Sequence, residues 1–188
     1  MLALIGYGAY QSYSKRAVTH PEGVLVASAP TQLAASNTQI QRDGYTITAL
    51  QDFRIEARVL SVKQYSSGRE ADLSPVDLAL GWGQMSDEAV LRDIRISQSN
   101  RFYHWSVDAF PIPREAIETQ SANVHIIPAN SALEDTLSSV RKGQVVKLKG
   151  YLVNVEAADG WRWKSSLTRN DTGNGACELM YVTDAVVL

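Results

Sequence analysis

Two long stretches of this chain alternate between apolar and polar residues, and each changes phase partway along. Apolar residues occupy every second position from Phe53 to Val59, the period of a strand with one buried face. Leu60 and Val62 then continue on the opposite phase. An inserted residue at this point predicts a β-bulge, which bends a strand and increases its twist.

The second stretch shows the same change around a glycine. Val146 and Leu148 share one phase, and Tyr151, Val153 and Val155 follow the other. Gly150 lies at the change, and glycine within a strand is typical of a bulge or a sharp bend. Two long strands that both bend favour a closed or strongly coiled sheet over a flat one.

Shorter segments complete the predicted elements. Strands are predicted at Thr46–Leu50, Ile94–Ser97, Phe102–Val107, Val124–Ile127, Trp161–Leu167 and Glu178–Val187, and Asp159-Gly160 predicts a hairpin turn. Helices are predicted at Ser131–Val140 with a capping box from Ser131 to Glu134, at Ser74–Leu80, and at Asp87–Asp93 with Ser86 as the cap.

The order of these elements resembles an OB-type barrel, in which a short helix lies against one end of a five-stranded sheet. We therefore expect a mainly β fold, a single coiled or closed OB-like barrel with one to three short helices. The segments from Ser121 to Pro128 and from Trp163 to Glu178 are also similar to those of uncharacterised bacterial proteins with a hydrophobic N-terminus. The resemblance implies no activity.

The chain has 188 residues, and we expect one globular domain with an N-terminal extension. Residues 1–18 form an apolar segment, residues 19–44 an extended connector with one short edge strand near Val24–Val26, and residues 45–188 the barrel domain. The first fourteen residues carry no charge, but a membrane-spanning helix needs about 20 apolar residues. The segment is an interfacial anchor through residues 1–16, the remnant of a spanning helix, or a plain tail. The side of the membrane stays open.

Composition excludes some partners. Lys and Arg number 18 against 20 Asp and Glu, whereas dedicated nucleic-acid binders carry a basic domain or stripe. Nucleic acid is therefore not an expected partner. His20, His104 and His125 show no spacing typical of metal ligands, and only one cysteine is present. We predict no metal site and no cofactor.

Cys177 and His125 are the candidate catalytic residues, as a thiol nucleophile and its base. No family signature surrounds the cysteine. The alternative is a small buried thiol at the head of a strand and a histidine that packs within a strand.

Four residues are candidate ligand-binding residues, namely Asn123, Arg169, Asp171 and Glu178. The segment from Arg169 to Gly175 is rich in Asn, Asp, Thr and Gly, which suits a tight turn or a loop that offers amides to an anion. We expect His125, Arg169, Asp171 and Glu178 to converge at one mouth of the barrel. They form either a hydrogen-bonded network or the lining of a wet pocket.

The sequence favours a non-catalytic, membrane-associated β-barrel module of a bacterial envelope that binds a protein or small ligand. The alternative is a thiol-dependent hydrolase or transferase that uses Cys177 and His125. Hydrogen-bond reach between the thiol and the imidazole would favour the enzyme.

Overall fold

The computed structural model describes residues 16–35, 37–168 and 176–188. Within these residues the fold is mainly β. The strands are β1 (Thr31–Ala34), β2 (Gln39–Arg42), β3 (Tyr45–Gln64), β4 (Val76–Gly81), β5 (Ile94–Ser99), β6 (Phe102–Val107), β7 (Ser121–Pro128), β8 (Val145–Ala157), β9 (Arg162–Lys164) and β10 (Glu178–Val187). The α-helices are α1 (Arg69–Leu73), α2 (Glu88–Leu91), α3 (Arg114–Thr119) and α4 (Ser131–Ser138), with a 3-10 turn at Gly83–Ser86.

Five strands pair in a closed ring. The order is β3, β4, β7, β10 and β8, and β8 pairs again with β3. Only the β7–β10 pair is parallel among these five strands. β1 and β2 add to β3, and β9 adds to β8, while β5 and β6 form a separate two-stranded sheet.

The inner face of the ring holds the main hydrophobic core. Side chains of all five strands meet there, including Phe53, Leu78, Ile126, Leu148 and Met180, all at most 2% exposed. Helix α4 packs Leu137 against the same cluster. The driving force is the removal of these apolar side chains from water, which contributes roughly 1.5–3 kcal/mol for each large one.

Two further clusters lie on the outer face of the ring, and they explain both phase changes in the sequence. The β3–β4 register shifts between Val59 and Ser61, so Leu60 belongs to an outer cluster with Ala79 and Ile117, while Val62 packs inward. The predicted bulge at Leu60 is therefore confirmed. In β8, Val153 belongs to the second outer cluster.

The bulge predicted at Gly150 lies instead on the neighbouring strands. β8 runs unbroken through Gly150, while the registers shift between Val182 and Asp184 on β10 and between Ala49 and Gln51 on β3. A Cβ atom at position 150 would lie 1.9 Å from the Tyr181 carbonyl oxygen. Glycine is needed here because two backbones approach closely.

Several local predictions were wrong in detail. Ser74–Leu80 does not form a helix, since Val76–Gly81 is strand β4, which is buried throughout. The side chain that caps α2 belongs to Asp87, not Ser86. Asn130, not Ser131, caps α4. The described residues contain four α-helices rather than one to three.

The connector carries more structure than expected. Val24–Val26 is not a strand, although Val26 is buried in the inner core. β1 and β2 follow it and pair antiparallel with β3. No helix among residues 16–35, 37–168 and 176–188 is long and apolar enough to cross a membrane.

Candidate functional site

A strip of polar side chains crosses the outer face of the ring between the two outer apolar clusters. Antiparallel pairing sets Asp77 opposite His125, and Asn123 opposite Ala79. Alternate residues of the same strands, such as Leu78 and Val124, point into the inner core. The period of two therefore places Asp77, Asn123 and His125 together on the outer face. We call these three residues the polar strip.

Asp77 is the charged centre of the strip, and it is fully buried. One carboxylate oxygen accepts a hydrogen bond from Nη1 of Arg101 at 2.7 Å, and the other lies 3.0 Å from Nδ1 of His125. The same Arg101 nitrogen also donates to the Ser74 carbonyl at 2.9 Å. A buried carboxylate is tolerated only when opposite charge and hydrogen bonds replace its hydration.

The β5–β6 hairpin delivers Arg101 to the strip. Asn100 and Arg101 form its two-residue turn, with φ angles of 50° and 68°. Positive φ at both positions is the signature of a type I′ turn, whose twist matches that of the flanking strands. The turn carries the Arg101 guanidinium over the outer face to Asp77, 24 residues earlier in the chain.

Aromatic rings cover these charges. The Arg101 guanidinium lies 3.7 Å from the ring centroid of Tyr65, whose hydroxyl accepts a hydrogen bond from the Arg101 backbone N–H at 3.0 Å. The ring of Trp163 lies 5.0 Å from that of His125. Burial is the main cause that raises the pKa of Tyr65 above its usual value. The covered cluster of Asp77, Arg101 and His125 thus fixes the hairpin to the ring.

A chain of weaker polar contacts leads from this cluster to Cys177. Gln98 Nε2 donates to Asn123 Oδ1 at 2.7 Å, and Asn123 Nδ2 donates to the Arg101 carbonyl at 3.0 Å. The same amide nitrogen lies 3.6 Å from the Cys177 sulfur, and the thiol lies 3.8 Å from the Arg101 carbonyl. Asn123 therefore orients both the hairpin turn and the thiol.

Beside Cys177 a cavity of about 670 Å³ runs between the hairpin and the ring. We call it the aromatic groove. Its walls are all six residues of β6, Phe110, and Arg114 and Glu118 of α3, and its floor includes Ser121, Asn123 and Cys177. Phe110 is 55% exposed, and its ring lies 6.2 Å from that of Trp105. The hydroxyl groups of Tyr103 and Ser121 are hydrogen-bonded at 3.2 Å. Burial raises the pKa of Tyr103 to about 12.

The predicted catalytic pair is not joined by a hydrogen bond within the described residues. The Cys177 thiol lies beside Asn123, whereas the Nδ1 of His125 lies toward Asp77. Same-face neighbours on a strand are about 6.5 Å apart, and His125 is one such step beyond Asn123 along β7.

The predicted ligand-binding residues have different outcomes. Asn123 lies in the polar strip and lines the groove. Arg169 and Asp171 lie outside the described residues. Glu178 is buried, and its register partner Val124 belongs to the inner core, so Glu178 lies on the face opposite His125. These two residues do not converge at one mouth, because adjacent positions in the register face opposite sides of the sheet.

Sequence reasoning missed Arg101, Tyr65 and Gln98, which complete the network around the polar strip. The available signal was the two-residue turn between two six-residue strands, which predicts a tight hairpin with Arg101 at its tip. Within the described residues no group of three or more His, Cys, Asp or Glu side chains is arranged to hold a metal ion.

Comparison with known proteins finds no matching protein-family model, no matching curated protein and no matching solved structure.

Proposed function

We propose that this protein is a non-catalytic binding module whose ligand occupies the aromatic groove. The observation that carries the proposal is the groove itself, an open cavity of about 670 Å³ that combines Phe102, Trp105 and Phe110 with the polar side chains of Ser121 and Asn123. Ligand sites combine apolar lining with a few polar groups that orient the ligand. Phe110 is 55% exposed and lines the cavity beside Trp105, so it offers apolar surface to a ligand there.

The side chains of the polar strip have a structural role, because they stabilise the wall beside this groove. The charged centre of the strip is buried and covered by Tyr65 and Trp163, so Asp77 and His125 stabilise the wall that the ligand contacts. In this proposal the buried charged residues stabilise the fold, and the open groove binds the ligand.

The thiol-enzyme alternative is not proposed as a second function. It needs His125 as a base within hydrogen-bond reach of the thiol, and among the described residues no hydrogen bond joins Cys177 to His125, whose Nδ1 lies toward Asp77.

Backbone amide NMR with two uncharged probes, indole and N-acetyl-phenylalanine amide, tests the groove. We expect shifts at Tyr103, Asn123 and Cys177, and weaker binding by the Phe110→Ser variant. Leu33→Ser is the matched control, because Leu33 is an exposed apolar residue on β1, outside the groove. Shifts confined to the cavity of about 530 Å³ around Arg58 and Lys142 would contradict the proposal.

Membrane association through residues 1–16 is the second part of the proposal. Its support is the uncharged apolar composition of the first fourteen residues, followed by Lys15 and Arg16. Flotation with phosphatidylcholine–phosphatidylglycerol vesicles should carry the full chain upward and leave a chain without residues 1–16 behind. Equal flotation of both proteins would overturn this part.

A further inference from the structure

The aromatic groove lies along the free edge of β6. Side chains of a strand alternate between its two faces, so a cavity on one face touches every second residue. This cavity touches every residue from Phe102 to Val107, and it touches none of β5. It therefore follows the edge of β6 that faces away from β5.

The type I′ turn fixes which backbone groups point into the groove. In such a hairpin the residues that flank the two-residue turn, here Ser99 and Phe102, form a hydrogen-bonded pair, and the pattern then alternates. The backbone N–H and C=O groups that point to β5 are those of Phe102, His104 and Ser106. Tyr103, Trp105 and Val107 direct theirs to the open edge, and within the described residues these groups have no hydrogen-bond partner.

Nothing in β6 protects this edge from pairing. Proteins usually blunt exposed edges with Lys, Pro, inward charges or a bulge. The sequence from Phe102 to Val107 contains no charged residue and no proline, and its six pairs with β5 are in continuous register. An edge of this kind is a template for another strand.

We propose that the groove binds an uncharged, extended peptide that adds to β6 as a further strand. The proposal rests on the proposed function and specifies its ligand. A backbone is the ligand chemistry that matches alternating N–H and C=O groups along a six-residue edge, a length of about 20 Å. The absence of charge on β6 and the Arg114–Glu118 ion pair in the groove wall both favour an uncharged ligand.

The walls also select the shape of the peptide. Arg114 and Glu118 of α3, together with Ala176 and Cys177, also line the groove, so β6 has other walls beside it and the space suits one strand rather than the hairpin of a second copy. Side chains that point inward meet the small polar groups of Ser121 and Asn123. Those that point outward lie beside Phe102 and His104, where aromatic and β-branched residues pair best.

Amide hydrogen exchange on the full chain without any ligand gives the first test. We expect the amides of Phe102, His104 and Ser106 to exchange about tenfold or more slowly than those of Tyr103, Trp105 and Val107. Equal protection of both sets would show that the edge is already paired and would overturn the proposal. If protection of these amides from exchange rises with protein concentration, the edge pairs with a second copy of the chain. That result would also overturn the proposal.

A random decapeptide library is the probe for the second test. The tightest peptide is resynthesised with N-methyl groups on its odd or its even residues. One set should weaken binding by about tenfold or more, since it removes N–H groups that pair with β6, and the other should bind within about threefold of the parent.

Phe110→Ser should weaken the selected peptide and Leu33→Ser should not. Recovery of no binding peptide, or equal tolerance of both N-methyl sets, would overturn strand addition. If indole and N-acetyl-phenylalanine amide still bind in the groove in that case, the proposed function stands and only the peptide assignment fails.

Discussion

The carboxylate of Asp77 and the guanidinium of Arg101 lie 2.7 Å apart, and the two side chains are only 1% and 18% exposed. Arg101 reaches this position from the tip of the β5–β6 hairpin. The pair therefore joins the two-stranded sheet to the ring beneath it, and its integrity decides the shape of the aromatic groove.

Asp77→Ala should lower the free energy of unfolding by about 3–5 kcal/mol, because it leaves Arg101 with uncompensated charge in a largely buried position. Urea denaturation followed by circular dichroism measures the change. The control is Asp159→Ala, which removes the exposed carboxylate of the Arg69–Asp159 pair, also 2.7 Å long, and should lower stability much less than Asp77→Ala because water screens the pair. An equal loss of unfolding free energy in the two variants would show that burial does not determine how much an ion pair stabilises this fold.

His125→Ala should cost about 2–4 kcal/mol, since it removes a buried ring that packs on Trp163 and lies 3.0 Å from the Asp77 carboxylate. His104→Ala is the comparison, because His104 is exposed on β6 and should change stability by about 0.5 kcal/mol or less. The same denaturation curves report both variants. A small effect of His125→Ala would remove that histidine from the network.

Gly150→Ala should destabilise the ring by about 3 kcal/mol, because its methyl group would meet the Tyr181 carbonyl at 1.9 Å, a contact made by backbone that cannot move aside. Gly160→Ala offers a contrast in the β8–β9 turn. Its new Cβ has open space but a φ of +87°, so strain alone should cost about 1 kcal/mol. Thermal unfolding ranks the two variants, and the reverse order would contradict the close approach.

Stability should fall between about pH 10 and pH 12 through Tyr103. Burial raises the pKa of this phenol from 10.0 to about 12, so above pH 10 the unfolded chain loses the proton while the folded protein keeps it. The stabilisation is complete below pH 10, and linkage gives a loss of about 2–3 kcal/mol by pH 12. Tyr103→Phe should remove this part of the slope in unfolding curves measured at each pH. An unchanged slope would contradict burial of the phenol.

Local patterning predicted most of the ring. The change of phase at Leu60, the Asp159-Gly160 hairpin and the strand from Glu178 to Val187 all follow from periods and turn residues that neighbouring positions define. β4 was predicted as a helix because Ser74-Pro75 and Gly81 match helix start and stop signals, although Val76, Leu78 and Leu80 alternate with Asp77, Ala79 and Gly81. The reading of residues 1–16 as an anchor stays a prediction.

The sequence by itself determined a mainly β chain with long bent strands, since side-chain periodicity is a property of neighbouring residues. Only the tertiary structure decided which polar side chains meet. Asp77, Arg101 and His125 come from three separate segments, and strand register places His125 and Glu178 on opposite faces. Register depends on pairing between distant strands, where a shift of one residue reverses every face, so local sequence could not place the groove.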